Sequence, residues 1–204
     1  MPIAVKISSK IYEIPFLNEL TIKHLIDLRK TDPNKPLQLL TWALGAEPDL
    51  IDIPKTNKEV TGALILIDNL VNDVYKWMQS DERIKVPSEI DVLGYTVKCN
   101  PGLLQQLPYW GSVRCKNAIQ EDIKKGSEQI DFTDRIPEIL AHYLYSAVTK
   151  SKYDEDNADE FIEVINMLPL IPCVQLGNFF LLKQANLYLS KTQYLQTKAT
   201  LTKK

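Results

Sequence analysis

Apolar and polar residues alternate in short runs at two places in the chain. Near the N-terminus, the runs 4–7 and 11–14 are separated by Ser8, Ser9 and Lys10. A period of two bounded by small polar residues predicts a β-hairpin here. Between residues 84 and 98, the pattern predicts three extended segments, 84–87, 89–92 and 95–98, with Leu93 and Gly94 at a turn. The sequence therefore predicts short hairpins at the N-terminus and in mid-chain.

Elsewhere, apolar residues recur at steps of three and four, which is the spacing of one helix face. The longest such run follows a capping box at 56–59 and extends to Met78. Before it, Thr21 is the predicted N-cap of one helix, and a second helix starts near Pro36 and ends at Gly45. Later helices are predicted over 101–107, 111–125, after Thr133, from 156–159 onward and over 174–189. Together these patterns predict an α+β fold, predominantly helical, in which the short hairpins pack with about six helices.

A weak internal similarity suggests that the chain has two related halves. In each half, a strand pair leads into a helix, once around 11–20 and once around 95–107. We expect halves at 1–82 and 83–190, packed as one unit because no Gly/Ser-rich linker separates them. Residues 191–204 are polar and without period, which is typical of a flexible tail, here a basic one.

Composition excludes several classes of protein. The 204 residues include 24 Lys+Arg and 26 Asp+Glu, for a net charge of −2, and only 7 glycines. This balance excludes collagen-like, disulfide-framework and wholly disordered chains, and a strongly basic nucleic-acid binder. Neither G-x-G-x-x-G nor G-x-x-x-x-G-K-[ST] occurs, so a dinucleotide site and a P-loop lack support. We expect no cofactor.

The residue types that bind metals are scattered. Cys99, Cys115 and Cys173 lie far from each other and from His24 and His142. A structural zinc site needs four clustered ligands, so we expect three reduced thiols and no metal. The acid-rich stretch 154–160 fails the calcium-loop pattern at the fifth, sixth and twelfth positions, which favours a solvated helix start.

Catalysis has weak support. His142 lies beside Tyr143 and Tyr145 in a predicted helix, where a histidine usually packs, and no nucleophile motif such as G-x-S-x-G accompanies it. A dispersed enzyme site around His142 and Cys115 is the least favoured reading, and we expect no catalytic residue and no enzyme.

Two long windows carry no charge. Window 99–113 contains Tyr109 and Trp110, which are candidates either for a protein interface or for local core packing, since aromatic residues are enriched at interface centres. Window 164–182 raises the question of a membrane span, but its prolines argue against a continuous helix. We expect core or subunit interface there, with Phe179, Phe180 and Lys183 as interface candidates and one of the two phenylalanines facing inward.

Charge is distributed unevenly along the chain. Residues 164–204 hold five lysines and no acid, so they carry +5 while residues 1–163 carry −7. Such a chain can associate head to tail as a homo-oligomer or place its basic end on an acidic partner. Five spaced lysines without arginine do not indicate specific nucleic-acid binding.

Three segments resemble the small baseplate and tail-assembly proteins of contractile-tailed (T-even-like) bacteriophages. These are Glu19–Leu28 after the first hairpin, the strand pair Ile90–Cys99 after a long helix, and Asn178–Lys183 near the C-terminus. The resemblance covers about a third of the chain. It implies other protein subunits as partners, no metal, and a location in the host cytoplasm during assembly, with incorporation in the virion left open.

Two functions of different class follow. The first is a non-enzymatic structural or assembly protein of a phage tail, baseplate or related contractile apparatus that acts through protein–protein contacts. The alternative is a cytosolic adaptor or regulatory protein that binds a single protein partner. Genes for tail components beside this one, or self-assembly of the purified chain, would favour the first.

Overall fold

The structure is a computed structural model that describes residues 2–7, 10–45, 58–99 and 133–181, with five more residues between 113 and 121. The described residues divide into two compact units. One contains those up to Arg83 together with Asn166–Ile171, and the other contains those from Ile84 to Ile165 and from Pro172 onward. Helices dominate, accompanied by one antiparallel hairpin in each unit, so the predicted α+β, mostly helical fold is confirmed.

The first unit begins with the predicted N-terminal hairpin. Its strands pair in antiparallel register, with Ile3 opposite Ile14 and Ile7 opposite Lys10. Inward positions alternate with exposed ones along β1 and from Ile11 onward in β2, and Ile7 and Ile14 are buried. The elements of this unit are β1 (Ile3–Ile7), β2 (Lys10–Ile14), a 3-10 turn (Leu17–Glu19), α1 (Ile22–Lys30), α2 (Pro36–Leu44), α3 (Lys58–Gln79) and a 3-10 turn (Asp81–Ile84, whose last residue belongs to the second unit).

The core of the first unit lies between the hairpin and the helices. Helix α2 contacts α1, α3 and β2, and α3 also contacts β1. Apolar residues at helical spacing on α3 face this core, as their period predicts. The buried side chains on these helices are Ile22, Leu25, Leu28, Leu40, Ala43, Val60, Ala63, Ile67, Leu70, Val71 and Val74.

A late segment of the chain completes the first unit. The backbone N–H of Ile22 donates to the carbonyl of Leu168 (3.1 Å), and the N–H of Leu170 donates to the carbonyl of Leu20 (2.7 Å). Between these bonds, Thr21 and Pro169 form an antiparallel bridge. The predicted second half, 83–190, included this segment, whereas in the structure Asn166–Ile171 belong to the first unit.

The second unit contains the mid-chain hairpin and the later helices. The elements are β3 (Glu89–Val92), β4 (Tyr95–Lys98), a 3-10 turn (Thr133–Arg135), α4 (Ile136–Thr149), α5 (Glu155–Glu160), α6 (Ile162–Asn166, whose last residue belongs to the first unit) and α7, helical over 170–181, whose first two residues belong to the first unit. Helix α4 contacts α5 and β4. It is buried over most of its length, with Ile139, Leu140, Ala141 and Leu144 fully enclosed.

The turn between β3 and β4 is backbone-strained. Leu93 has φ +52° and Gly94 has φ +78°. Two consecutive positive φ values are those of a type I′ hairpin turn, and glycine adopts them without steric cost. A leucine in this conformation costs about 1 kcal/mol or more.

Three helix and strand boundaries differ from the sequence predictions. The predicted extended segment 84–87 is wrong at Ile84, which ends a 3-10 turn, and 85–87 form no strand. The helix predicted from 156–159 through Leu168 is divided at Phe161, whose ring packs edge-on against Tyr145 (6.0 Å between centroids). The last helix begins before Val174, because Pro172 falls in its first turn, where the missing N–H has no intrahelical partner to lose.

Several predicted features lie outside the described residues. These are the helix at 101–107, most of the helix at 111–125, the basic tail at 191–204 and residues 56 and 57 of the capping box.

Candidate functional site

The two hairpins present large apolar side chains to solvent. On β2, Ile11 lies on the outward face and is 72 % exposed, opposite Lys6. At the turn of the second hairpin, Leu93 is 65 % exposed and Tyr95 is 53 % exposed. Single exposed apolar residues are ordinary, but a leucine held at positive φ on a hairpin tip is not. The hairpins are the best candidates for protein contacts among the described residues.

Hydrogen bonds and cross-strand pairs fix the second hairpin. Thr96 Oγ1 donates to Asp91 Oδ1 (2.5 Å), and Glu89 lies opposite Lys98. On the other face, Ile90 and Val92 are buried. One face of this hairpin therefore anchors it in the second unit, so Leu93 and Tyr95 are presented on a fixed support.

Phe179 and Phe180 differ in burial. The ring of Phe180 is buried and stacks on Tyr143 of α4, with centroids 3.7 Å apart and planes 7° apart. Phe179 is half-buried, and its ring meets that of Phe180 edge-on at 5.5 Å. Phe180 is thus a core residue, and contact of Phe179 with a partner stays a prediction. The other interface candidates, Tyr109, Trp110 and Lys183, lie outside the described residues.

His142 is fully buried, and both of its ring nitrogens have hydrogen-bond partners. Nδ1 lies 2.7 Å from the hydroxyl of Tyr153, and Nε2 lies 3.0 Å from Oδ1 of Asp159 on α5. A carboxylate only accepts, so Nε2 donates to Asp159. The cluster pairs a histidine with a carboxylate but lacks the Ser, Cys or Thr nucleophile of a catalytic triad. Its imidazole is enclosed and both ring nitrogens are bonded, which favours a role in holding α5 against α4. Cys115, the other member of the least favoured enzyme site, lies outside the described residues.

The acid-rich stretch starts a helix, as the sequence predicted. Asp154 is the N-cap of α5, and its carboxylate accepts a hydrogen bond from the backbone N–H of Asn157 (3.0 Å). Acidic side chains in the first turn are stabilised by the helix dipole. Where the structure describes the chain, no three His, Cys, Asp or Glu side chains are grouped so as to hold a metal ion.

The two described cysteines are buried free thiols. Burial, with a contribution from the nearby Glu89, raises the pKa of Cys99 to about 11. Burial, with a contribution from Cys99, also raises the pKa of Cys173. A thiolate is the reactive form of cysteine, so neither side chain is set up as a nucleophile.

His24 caps helix α1. Its Nδ1 lies 3.1 Å from the backbone nitrogen of Thr21 and 2.8 Å from Thr21 Oγ1. The indole N–H of Trp42 donates to the backbone carbonyl of His24 (2.7 Å). Burial lowers the pKa of His24; the charge of Lys23 lowers it further, whereas that of Asp27 opposes the shift.

In the part of the chain that the structure describes, no helix combines the length and the apolar character needed to cross a bilayer.

The sequence predicted some of these features and not others. The turn at Leu93–Gly94 was predicted because the dipeptide stands between two alternating runs, but the exposure of Ile11, Leu93 and Tyr95 was not. Nothing in the sequence pairs His142 with Tyr153 and Asp159, which follow it by 11 and 17 residues.

Comparison with known proteins adds no relative. No family model, no curated protein and no solved structure matches this chain. The resemblance to baseplate and tail-assembly proteins therefore rests on the sequence segments alone.

Proposed function

We propose that this chain is a non-enzymatic structural or assembly protein of a phage tail, baseplate or related contractile apparatus, acting through protein–protein contacts. The observation that carries the proposal is the pair of hairpins with exposed apolar residues, Ile11 on the outward face of one and Leu93 and Tyr95 at the turn of the other. The type of apparatus comes from the resemblance of Glu19–Leu28, Ile90–Cys99 and Asn178–Lys183. The place of action is the host cytoplasm during assembly.

The hairpins suit this role physically. A two-stranded sheet has two edges, and an extended segment of a partner can add to such an edge through backbone hydrogen bonds. Each hairpin is anchored by one buried face, through Ile7 and Ile14 in the first and Ile90 and Val92 in the second. The outward face of the first hairpin and the turn of the second are then available to a partner without unfolding the unit that bears them.

Charge supports association between subunits. Residues 164–204 carry +5 and residues 1–163 carry −7, so the chain has a basic C-terminal stretch and an acidic remainder. Opposite charges on two surfaces accelerate encounter and orient the partners, and salt weakens that effect. We expect self-association or partner binding that weakens as ionic strength rises.

The test is co-expression with the products of neighbouring genes, followed by sedimentation of the purified complexes. The variants are Ile11→Asp and Leu93→Asn, since asparagine tolerates positive φ and removes only the apolar side chain. Matched controls on the same hairpins are Glu13→Gln and Lys98→Gln, which are exposed and polar. Thermal unfolding of each variant shows whether the fold is kept.

The expected result is a complex with an identified tail or baseplate component, or a defined homo-oligomer, that weakens at least tenfold in an apolar variant and not in the controls. A one-to-one complex with a single protein unrelated to a tail would instead establish the adaptor alternative. A chain that stays monomeric with every tail component, at low salt and high concentration, would refute the structural role.

Single substitutions of Phe179 and Phe180 provide a second test of the proposed interface. Phe180→Ser should unfold the second unit, because it removes a buried ring stacked on Tyr143. Phe179→Ser should leave the unit folded and weaken assembly. If Phe179→Ser changes only the melting temperature, Phe179 is not part of an interface.

A further inference from the structure

The ring of His24 must be neutral for the observed cap of α1. A backbone N–H can only donate, so the 3.1 Å bond from Thr21 requires a lone pair on Nδ1 of His24. The hydroxyl of Thr21, 2.8 Å away, shares the same acceptor. The proton of the neutral ring therefore lies on Nε2. Histidine here takes the place that glutamate or glutamine holds at the third position of a capping box.

The capped residue stands between two long-range backbone bonds. Thr21 bridges Pro169, and on either side Ile22 donates to Leu168 and Leu170 donates to Leu20. These bonds hold Leu168–Leu170 against Leu20–Ile22 in the first unit. The orientation of Thr21 affects both of them, because Thr21 forms the bridge and lies between Leu20 and Ile22, the two residues that make these bonds.

Few charged groups oppose or assist protonation of His24. Helix α2, which packs on α1, carries no ionisable side chain, and neither does Asn166–Ile171. In the preceding 3-10 turn, Glu19 accepts from the backbone N–H of Phe16. On α1 itself, Asp27 favours the charged ring and Lys23 disfavours it, and burial outweighs both. The positive end of the helix dipole also disfavours a cation in the first turn.

We propose that His24 makes the pairing of Leu20–Ile22 with Leu168–Leu170 sensitive to mildly acidic pH, because protonation of Nδ1 removes the acceptor for both Thr21 donors. An imidazolium has two donors and no acceptor, so the N–H of Thr21 loses its partner and faces a cation. The Trp42 bond to the backbone carbonyl of His24 does not depend on the ring, so protonation leaves this contact between α1 and α2 in place. This device is independent of the proposed function.

The direction in which the cap's contribution to stability changes with pH follows from the number of protons bound by the folded and unfolded chains. The unfolded chain has a histidine pKa near its ordinary value of 6.5, and the folded pKa is lower. The unfolded chain therefore binds more protons between these two values. The contribution of the cap is fully present above pH 6.5 and is lost as the pH falls below 6.5 toward the folded pKa.

Amide hydrogen exchange of the full chain tests the proposal. Protection factors, corrected for the intrinsic rate at each pH, are measured for Ile22 and Leu170 at pH 7.5 and below the pKa of His24, which is located by NMR titration of its ring. We expect the protection of both amides to fall about fivefold at the lower pH, the usual effect of losing an N-cap interaction. The amide of Cys99, bonded to the carbonyl of Ser88 in the other unit, is the reference.

The matched variant is His24→Gln. Glutamine offers an acceptor at the same capping-box position and does not titrate. Its Ile22 and Leu170 amides should lose no more protection than the Cys99 amide does. An equal loss in wild type and His24→Gln would overturn the proposal, and so would a ring ¹⁵N spectrum showing the neutral proton on Nδ1.

Discussion

Gly177 of α7 lies so close to Ile136 at the start of α4 that a Cβ on Gly177 would be 2.9 Å from both branches of the Ile136 side chain. Ile136 is buried and cannot move aside freely. We expect Gly177→Ala to destabilise the protein by about 1–3 kcal/mol, less the roughly 1 kcal/mol that alanine gains in a helix. Urea unfolding measures the change.

Gly62 on α3 is the matched control, because a Cβ there would meet nothing within 4 Å. Gly62→Ala should stabilise the protein by about 0.5–1 kcal/mol through helix propensity. If both variants shift stability by the same amount and sign, the close approach of Gly177 to Ile136 is incorrect.

The apolar face of α3 is a main core element. Ile67 is fully buried, so Ile67→Asp places a carboxylate among apolar side chains and should cost at least about 3 kcal/mol. Ile65, on the same helix, is exposed, and Ile65→Asp should change the free energy of unfolding by less than about 0.5 kcal/mol. Equal melting temperatures for the two variants would show that Ile67 does not face the core.

The sequence predicts features that depend on neighbouring residues. The hairpin at Glu89–Lys98 and helix α1 with its N-cap Thr21 are both specified by a short periodic pattern and its boundary residues. The bonds of Leu20 and Ile22 to Leu170 and Leu168 join residues far apart in the chain, and no local pattern encodes that pairing. Periodicity also missed the break at Phe161, since the apolar spacing continues through it while the ring turns toward Tyr145.

The candidate site was less predictable than the fold. A leucine before glycine between two strands indicates a turn, so Leu93 could be placed there from the sequence. The partners of His142 could not, because Tyr153 and Asp159 reach it through the turn after α4 and the start of α5. Hydrogen bonds between side chains on different elements depend on packing, which one sequence does not display.

Removing one hydrogen-bond partner of His142 tests whether its buried cluster stabilises the fold. Tyr153→Phe removes the hydroxyl that is 2.7 Å from Nδ1 and should destabilise the protein by about 1–3 kcal/mol. Asp159→Asn keeps an acceptor for Nε2 and should cost less. Denaturant unfolding measures both, with Tyr95→Phe at an exposed site as control. A Tyr153→Phe variant of unchanged stability would remove the packing role and return His142 to consideration as a functional group.

Cys99 should react slowly with alkylating reagents in the folded protein. Its pKa of about 11, against an ordinary 9.0, lowers the thiolate fraction at pH 8 about 100-fold. Iodoacetamide labelling in a Cys115→Ser background, followed by mass spectrometry, measures the rate before and after urea denaturation. The folded state favours the protonated thiol, so the contribution of Cys99 to stability is present below pH 9 and is lost as the pH rises through 11. Rapid labelling of the native protein at pH 8 would contradict this burial.

The pairing of Leu20–Ile22 with Leu168–Leu170 has a consequence for biosynthesis. A ribosome delivers the first unit's hairpin and helices early, yet Ile22 finds its acceptor only after residue 168 has been translated. Residues 84–165, which belong to the second unit, are made in the interval. A contact between residues so far apart in the chain lowers the folding rate more than it lowers the stability of the folded protein. A nascent chain stalled after Arg83 thus lacks the segment that completes its first unit, and the two units cannot mature in the strict order in which their residues are synthesised.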